Sequence, residues 1–156
     1  MTPLDRLHGL GLVLPTALES VGKYAATHQH GLTLWVAGHT ARTVSIPALA
    51  GVVGDDLDVG EAAAQAALAA LNLLSTADSA VGLDNIAGVI HLRGFVRSGK
   101  DFAEHPRVID GASELLTAVF ADSARHARTA VGVISLPGRA AVELEAVFAL
   151  HGQTTH

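Results

Sequence analysis

Apolar residues recur at helical spacing between residues 59 and 78, and this stripe is the clearest structural signal in the chain. The segment follows Asp58, a residue type that caps helix N-termini, and is followed by Gly82, the residue type that most often ends helices. The pattern predicts a long helix from about Val59 to Asp78. Its apolar stripe consists of Ala63, Ala67, Ala70, Leu71 and Leu74.

Two other segments have helical character. Residues 3–10 form a short predicted helix, with Thr2 as its N-cap and proline in its first turn. A second long helix is predicted from about Val108 to Phe120, after a loop over residues 98–107.

Runs rich in β-branched or alternating apolar residues predict six strands. They are Tyr24–His28, Leu32–Ala37, Ser45–Val53, Ile86–Val96, Ala130–Leu136 and Ala141–Leu150. Turns are expected at His30-Gly31 and Pro137-Gly138, and Gly38 is expected to end the second strand. This element order predicts an α+β fold, with both long helices on one face of a mixed six-stranded sheet. The other face then needs cover, and oligomerisation would supply it.

The composition is that of a folded chain whose core is built from small and aliphatic residues. Of 156 residues, 49% are hydrophobic, 4% aromatic and 16% charged. This length corresponds to one ordinary domain, so we expect a single domain over residues 1–156. Within it, residues 1–20 form an N-terminal extension and residues 152–156 a frayed tail. Such a low charge content favours burial of part of the surface against another subunit.

Charge and residue usage also narrow the function. The net charge of −5 disfavours the broad basic surface that nucleic-acid binding needs, and the absence of cysteine excludes disulfides and thiol chemistry. No uncharged apolar run reaches the ~18 residues of a membrane span. Residues 1–14 carry charges and lack a cleavage signal, so we expect a cytoplasmic protein with no membrane or nucleic-acid partner.

The last predicted strand, AVELEAVFAL, carries the most informative polar residues. Alternation places Glu143 and Glu145 on one face of it. They could form a solvated edge, because buried carboxylates are costly without partners. A hairpin through Pro137-Gly138 would instead return Glu143 towards Arg128. That pair could be a structural ion pair, or a site in which the arginine clamps a substrate carboxylate and the glutamate orients water.

Two segments resemble the RidA (YjgF-like) family. The run HARTAVGVISLP…AVELEAV is similar to the family's Ala-Arg-Ser segment, Leu-Pro turn and E-x-E-A strand, with Arg128 and Glu143 at the family spacing. The run GKYAATHQHGLTLWVAGHT resembles the family's G-P-Y…I-x-S-G-Q segment, with Tyr24 and Gly38 at the expected separation. The likeness extends over roughly residues 21–150.

The resemblance implies a chorismate-mutase-like fold and a homotrimer whose sheets form a central barrel. It further implies intersubunit clefts that hydrolyse reactive imines or enamines to a 2-oxo acid and ammonia, without metal or organic cofactor. Carried over by position, Arg128 binds the substrate carboxylate and Glu143 activates or positions water. Tyr24 and Gly38 line the cleft. Ala37 and His39, on either side of Gly38, and Ala130, two residues after Arg128, are also assigned to substrate binding.

Several residues depart from the family pattern. The serine before the cleft glycine is Ala37, the glutamine after it is His39, and a common cysteine beyond the arginine is Ala130. Asp110 or Ser113 could replace the family's cleft asparagine. These departures leave open a non-catalytic trimer that binds a small carboxylate or metabolite; a ribonuclease is the least favoured alternative.

Other polar residues have both structural and functional interpretations. His28 and His30 share a strand face and could bind a metal, but surface histidines are favoured. His39 and His126 could contact ligand or serve the structure, and Trp35 is assigned to the core or an interface. The cluster of Asp55, Asp56 and Asp58 is interpreted as a turn and a helix cap rather than a cation site.

Overall fold

Three α-helices and five strands, with three short 3₁₀ helices between them, make up the regular structure of residues 1–152, the part of the chain that the computed structural model describes. The helices are α1 (Pro3–Gly9), α2 (Val59–Val81) and α3 (His105–Phe120). The strands are β1 (Thr27–His30), β2 (Thr33–Thr40), β3 (Ile86–Arg97), β4 (Ala127–Val133) and β5 (Val142–Leu150). No helix among these is long and apolar enough to cross a membrane. The predicted frayed tail lies, from residue 153 onwards, outside the described residues.

Capping residues fix the helix starts that the sequence predicts. Thr2 and Asp58 each accept a hydrogen bond from the backbone three residues on, and the acidic side chain at that position bonds back to the cap. Such capping boxes satisfy amide groups that a helix leaves unpaired. Gly82 ends α2 with a φ of 80°, as predicted for a C-terminal glycine. Helix α3 begins at His105, before the predicted start, because Pro106 is well suited to a first turn.

The sheet is mixed and carries the long helices on one face, as predicted. Its strand order is β1-β2-β5-β3-β4, with β3 and β4 parallel and the other pairs antiparallel. Helix α2 packs on β2 and β5, and α3 packs on β3 and β4. The core between these layers is built mainly from small and aliphatic side chains such as the fully buried Leu74 and Leu144, and it also contains the fully buried ring of Phe148.

The predicted third strand, Ser45–Val53, is not a strand in the described chain, so the sheet has five strands rather than six. The segment forms only isolated bridges, from Ala50 to Ala140 and from Val53 to Leu57 and Ser98. Its proline at position 47 lacks the amide hydrogen that a ladder requires. The alternation of apolar residues there reflects packing of an irregular segment.

The predicted hairpin between the last two strands is also wrong. Strand β3 lies between β4 and β5, so the turn at Pro137-Gly138 belongs to a connection that passes from one side of β3 to the other. Strand β4 spans Ala127–Val133 rather than the predicted Ala130–Leu136. It follows β3 through α3 and pairs with it in parallel, which is the usual geometry of a strand–helix–strand unit.

The N-terminal extension packs against the domain. Leu7 is fully buried, the Arg6 guanidinium donates to the carbonyl of Val119, and the Leu4 amide donates to Asp84. Further along, the carbonyl of Pro15 accepts a hydrogen bond from Ser75 on α2. The extension therefore crosses the helical layer, and its last residues reach the end of β2.

Candidate functional site

A pocket of about 500 Å³ lies where the second half of β2 meets β5 and the end of the N-terminal extension. It brings together most of the residues carried over from the family resemblance. These are Tyr24, Ala37, Gly38, His39 and Glu143. The Pro137-Gly138 turn forms part of its wall. This pocket is the candidate active site of the protein.

Gly38 and Glu143 are in close contact in the pocket wall. The pairing of β2 with β5 contains an irregularity between Val36 and His39; it resumes with His39 opposite Leu144, so that Thr40 lies opposite Glu143. A methyl group on Gly38 would overlap the Glu143 Oε1 atom and lie 3.1 Å from its Cδ. Because glycine has no side chain, the carboxylate can lie directly against the β2 backbone.

The Glu143 carboxyl group titrates at a higher pH than an ordinary glutamate. Burial raises its pKa above the usual 4.5, and the negative charge of Glu145 raises that pKa further. Glu145 is itself paired with Arg93, at 2.6 Å between Nη1 and Oε1. Glu143 therefore combines a position inside the pocket with a pKa shifted towards the range useful for proton transfer.

The raised pKa of Glu143 predicts a pH-dependent effect on stability. The folded chain binds this proton more tightly than the unfolded chain, so the stabilisation is fully present below pH 4.5 and is lost as pH rises through the folded-state pKa. We therefore expect Glu143→Gln to gain stability relative to the wild type as pH rises from 4.5 through the folded-state pKa of Glu143. Urea unfolding at several pH values measures this difference. Glu114→Gln, at an exposed position on α3, is the control, and parallel pH curves for Glu143→Gln and the wild type would contradict the prediction.

The His39 ring is a structural element of the pocket wall. Its Nδ1 donates to the carbonyl of Ala37 at 2.7 Å, and its Nε2 lies 2.8 Å from the hydroxyl of Thr76 on α2. Burial lowers the pKa of His39, although the bond to Ala37 opposes this shift. The neutral ring thus accepts the Thr76 hydroxyl proton and ties β2 to α2 beside Gly38.

Arg128 lies outside this pocket and does not face Glu143 within one chain. It pairs with Leu92 on β3, whereas Glu143 pairs with Phe95, three positions further along the same strand. The alternation of side chains places Arg128 on the helix side of the sheet and Glu143 on the opposite side. Ala130, two residues beyond Arg128, likewise does not line the pocket.

The Arg128 guanidinium is held by α3. Its Nη1 donates to Asp110 Oδ1 at 2.7 Å and to Ser113 Oγ at 3.1 Å, and Nη2 lies 3.4 Å from the carbonyl of Pro106. His126 contacts the same Ser113 hydroxyl through Nε2 at 3.1 Å. Asp110 and Ser113, which could replace the family's cleft asparagine, thus contact the arginine directly.

Some pocket residues were not identified from the sequence. Thr40 and Arg42 follow the glycine that was expected to end the strand, but β2 continues to Thr40. Residues 18–21 of the N-terminal extension form another wall. The sequence signal for Arg42 is its nearness to the cleft glycine, because it follows Gly38 by only four residues in the AGHTAR segment.

The remaining candidate residues lie away from this pocket. His28 and His30 are exposed on β1, and residues 1–152 contain no cluster of three or more His, Asp or Glu side chains placed to hold a metal ion. Asp58 caps α2 and Asp56 accepts from the backbone of Val52 in the preceding turn. Trp35 is 56% exposed on the open face of the sheet, so it is not part of the core of the chain.

Comparison with known proteins establishes the family to which the chain belongs. A sequence profile described as "YjgF/chorismate_mutase-like, putative endoribonuclease" matches residues 4–149. The chain belongs to this family. The match confirms the resemblance drawn from the two motifs and, with the mixed sheet and its helices, the α+β fold.

Relatives of the chain cover nearly its whole length. Protein TCP17 of Trypanosoma cruzi is 37% identical over 147 residues, covering 93% of this chain and 92% of its own. The structure of Atu1372, a protein of unknown function from Agrobacterium tumefaciens, is 38% identical over 96% of this chain and 92% of its own, with a TM-score of 0.88. RidA from a Psychrobacter species shares the fold at 21% identity, with a TM-score of 0.60 over 86% of this chain and 94% of its own.

Proposed function

We propose that this YjgF-family protein is a hydrolytic deaminase of reactive imines or enamines derived from amino acids. The observation that supports the proposal is a carboxylate of raised pKa, Glu143, placed against the Gly38 backbone inside a pocket of about 500 Å³. An iminium carbon is already electrophilic. Hydrolysis therefore requires mainly a positioned water and one group that handles protons.

The proposed reaction begins with a water molecule held by Glu143. The carboxylate takes a proton as the water oxygen bonds to the iminium carbon, which gives a tetrahedral carbinolamine. Glu143 then returns the proton to the nitrogen. As the carbon–nitrogen bond breaks, the Glu143 carboxylate takes the proton of the carbinolamine hydroxyl, the carbonyl forms, and the ammonia that leaves accepts this proton from Glu143. The balance is imine plus water to 2-oxo acid plus ammonia. Tyr24, which is exposed and lines the same pocket, is available to the substrate.

The substrate carboxylate is assigned to Arg128 of a neighbouring protomer in a homotrimer. Arg128 lies on β4, the last strand of the sheet, and does not line the pocket of its own chain. The open face of the sheet also exposes Trp35 and Val131, large apolar side chains that subunit contact would bury. In this arrangement the Arg128 guanidinium binds the substrate carboxylate in addition to Asp110, whose carboxylate accepts a hydrogen bond from Nη1 in the structure.

Endoribonuclease activity, which the family description names, is disfavoured by the charges. The chain has a net charge of −5, and the pocket contains Glu19 and Glu143 against the single guanidinium of Arg42. RNA carries a phosphate at every nucleotide, and its binding depends largely on neutralising those charges. This surface would repel most of a bound strand.

Turnover of imines generated in solution tests the proposal. We expect the wild type to accelerate release of ammonia from 2-iminopropanoate formed from 2-aminoacrylate. Glu143→Gln should lower the rate about 10²–10⁴-fold, because it removes the group that transfers protons. Arg128→Ala should raise the substrate concentration needed for half-maximal rate, because it removes the assigned anchor of the carboxylate.

Two results would reject parts of this proposal. If the wild type and both variants behave alike across several imines, the protein is not a deaminase; thermal stabilisation by a 2-oxo acid without turnover would then support a binding module. Light scattering tests the assembly separately. A species of one chain mass, 16.0 kDa, at micromolar concentration would exclude the shared clefts.

A further inference from the structure

Arg42 lines the pocket and has no role in the proposed reaction. Among the sixteen described residues that line the pocket, it is the one with a permanent positive charge. It is exposed and forms no ion pair with any residue in the range 1–152. By contrast, the guanidinium of Arg128 is already bonded to Asp110 and Ser113. Arg42 therefore has its full bonding capacity available inside the pocket.

A buried side chain fixes the backbone from which Arg42 extends. Asn72 is 3% exposed on the largely apolar buried face of α2. Its Nδ2 donates to the carbonyl of Thr40 at 2.8 Å and to the carbonyl of Arg42 at 2.6 Å. Burying an amide is costly unless its hydrogen bonds are made, so these two bonds account for asparagine at this position. They hold the segment after β2 at a set place beside the pocket.

Arg42 lies within reach of a ligand positioned on Glu143. Thr40 lies opposite Glu143 in the strand pairing. Arg42 follows Thr40 by two residues, so the Cα atoms of Thr40 and Arg42 are at most about 7 Å apart. An arginine side chain is long enough to span part of that distance, and its planar fork matches the two oxygens of a carboxylate. A ligand with its reacting carbon at Glu143 and an acidic group a few bonds away fits this arrangement.

The size of the pocket agrees with such a ligand. A volume of about 500 Å³ is well above the need of an imine with three or four carbons, and pockets of this size commonly hold larger molecules. A substrate with one carboxylate, bound by Arg128 as proposed above, leaves Arg42 without an anionic partner. A substrate with a second carboxylate provides one.

We propose that Arg42 selects substrates with an acidic side chain, so that the preferred imine is a 2-imino dicarboxylate. The assignment rests on the proposed function, in which Arg128 of a neighbouring protomer binds the first carboxylate. Arg42 binds the second one through a bidentate contact. It takes no part in the proton transfers at Glu143.

Binding of two product analogues tests the assignment without requiring turnover. Titration calorimetry compares 2-oxoglutarate with 2-oxobutanoate, which carries the same 2-oxo acid group but no distal carboxylate. We expect the wild type to bind 2-oxoglutarate about ten- to a hundredfold more tightly, the range of a charge-assisted contact. Arg42→Gln should reduce that ratio to near one. Arg42→Lys should give an intermediate ratio, because it keeps the charge and loses the fork.

Arg125→Gln is the matched control. Arg125 is also exposed and forms no ion pair within residues 1–152, but it does not line the pocket, so its variant removes one positive charge elsewhere. It should keep the wild-type ratio. A wild type without preference, or an Arg42→Gln variant that loses affinity equally for both ligands, would overturn the assignment.

The outcomes also separate this assignment from the proposed function. If imines of both classes are hydrolysed with no preference for the dicarboxylate, the deaminase proposal stands and the role of Arg42 is rejected. If no imine is hydrolysed but the binding ratio falls in Arg42→Gln, the activity is rejected. Arg42 is then the anion anchor of a binding site.

Discussion

The Gly38→Ala variant is expected to fold normally and to lose imine hydrolysis by about a hundredfold or more, the scale of a misplaced reacting group. The added methyl would overlap Glu143 Oε1 and press on its Cδ at 3.1 Å. These atoms are the end of a flexible side chain, so the carboxylate can move away at small cost to the fold. The proton-transfer group would then leave the position next to the β2 backbone.

A double-mutant cycle tests whether that displacement is the cause. Removing the Glu143 carboxylate with Glu143→Ala also removes the three atoms nearest to the added methyl group. Any stability cost of Gly38→Ala should therefore shrink in the Glu143→Ala background. Gly9→Ala, where the methyl would meet nothing within 4 Å, is the control for both stability and rate. A Gly38→Ala protein that hydrolyses imines within a few-fold of wild type would contradict the proposed role of Glu143.

Local sequence signals were sufficient for most of the fold. The cap at Asp58, the glycine at 82 and the apolar stripe between them fixed α2 almost to its ends, because each acts through neighbouring backbone groups. Ser45–Val53 misled the prediction because alternating apolar residues also occur in irregular segments that pack on a core. Only the partners of its backbone groups distinguish the two cases.

The relation between Arg128 and Glu143 could not be obtained from the sequence. Two strands joined by a short turn are usually neighbours, and that default placed the two residues face to face. The true order inserts β3 between β4 and β5, and this depends on parallel pairing of β3 with β4 across α3. Such pairing involves residues far apart in the chain, so no local pattern reports it.

The spacing of the family motifs predicts which distant residues share the pocket, which local strand geometry does not. Tyr24 and Gly38 precede Glu143 by more than a hundred residues in sequence, yet all three line one pocket. Their shared spacing with a known family carried this information. Arg42 was missed for a physical reason: the irregularity in the pairing of β2 lets the strand continue past Gly38, and glycine was expected to end it.

The Gly111→Ala variant is expected to lower the free energy of unfolding by about 3 kcal/mol, the upper part of the range for overpacked cores. Gly111 lies in the interior of α3, where alanine would otherwise be favoured by about 1 kcal/mol. A methyl group there would overlap the carbonyl oxygen of Ala63 and lie 2.8 Å from its carbonyl carbon. These are backbone atoms of α2, so relief requires the two helices to move apart.

Urea unfolding of Gly111→Ala beside Gly9→Ala measures this cost. Both variants add one methyl group to a helical glycine, but the methyl at position 9 meets no atom within 4 Å and should change stability by about 0.5 kcal/mol at most. Shortening the facing side chain with Ala63→Gly should not rescue Gly111→Ala, because the overlapping atoms belong to the backbone. Rescue by that change, or equal stability of the two alanine variants, would show that α2 and α3 are not in backbone contact at this point.

Since α2 carries both Asn72 and Thr76, separation of the helices should also disturb the anchoring of Arg42 and of His39. We therefore expect Gly111→Ala to weaken 2-oxo acid binding in the fraction of protein that remains folded.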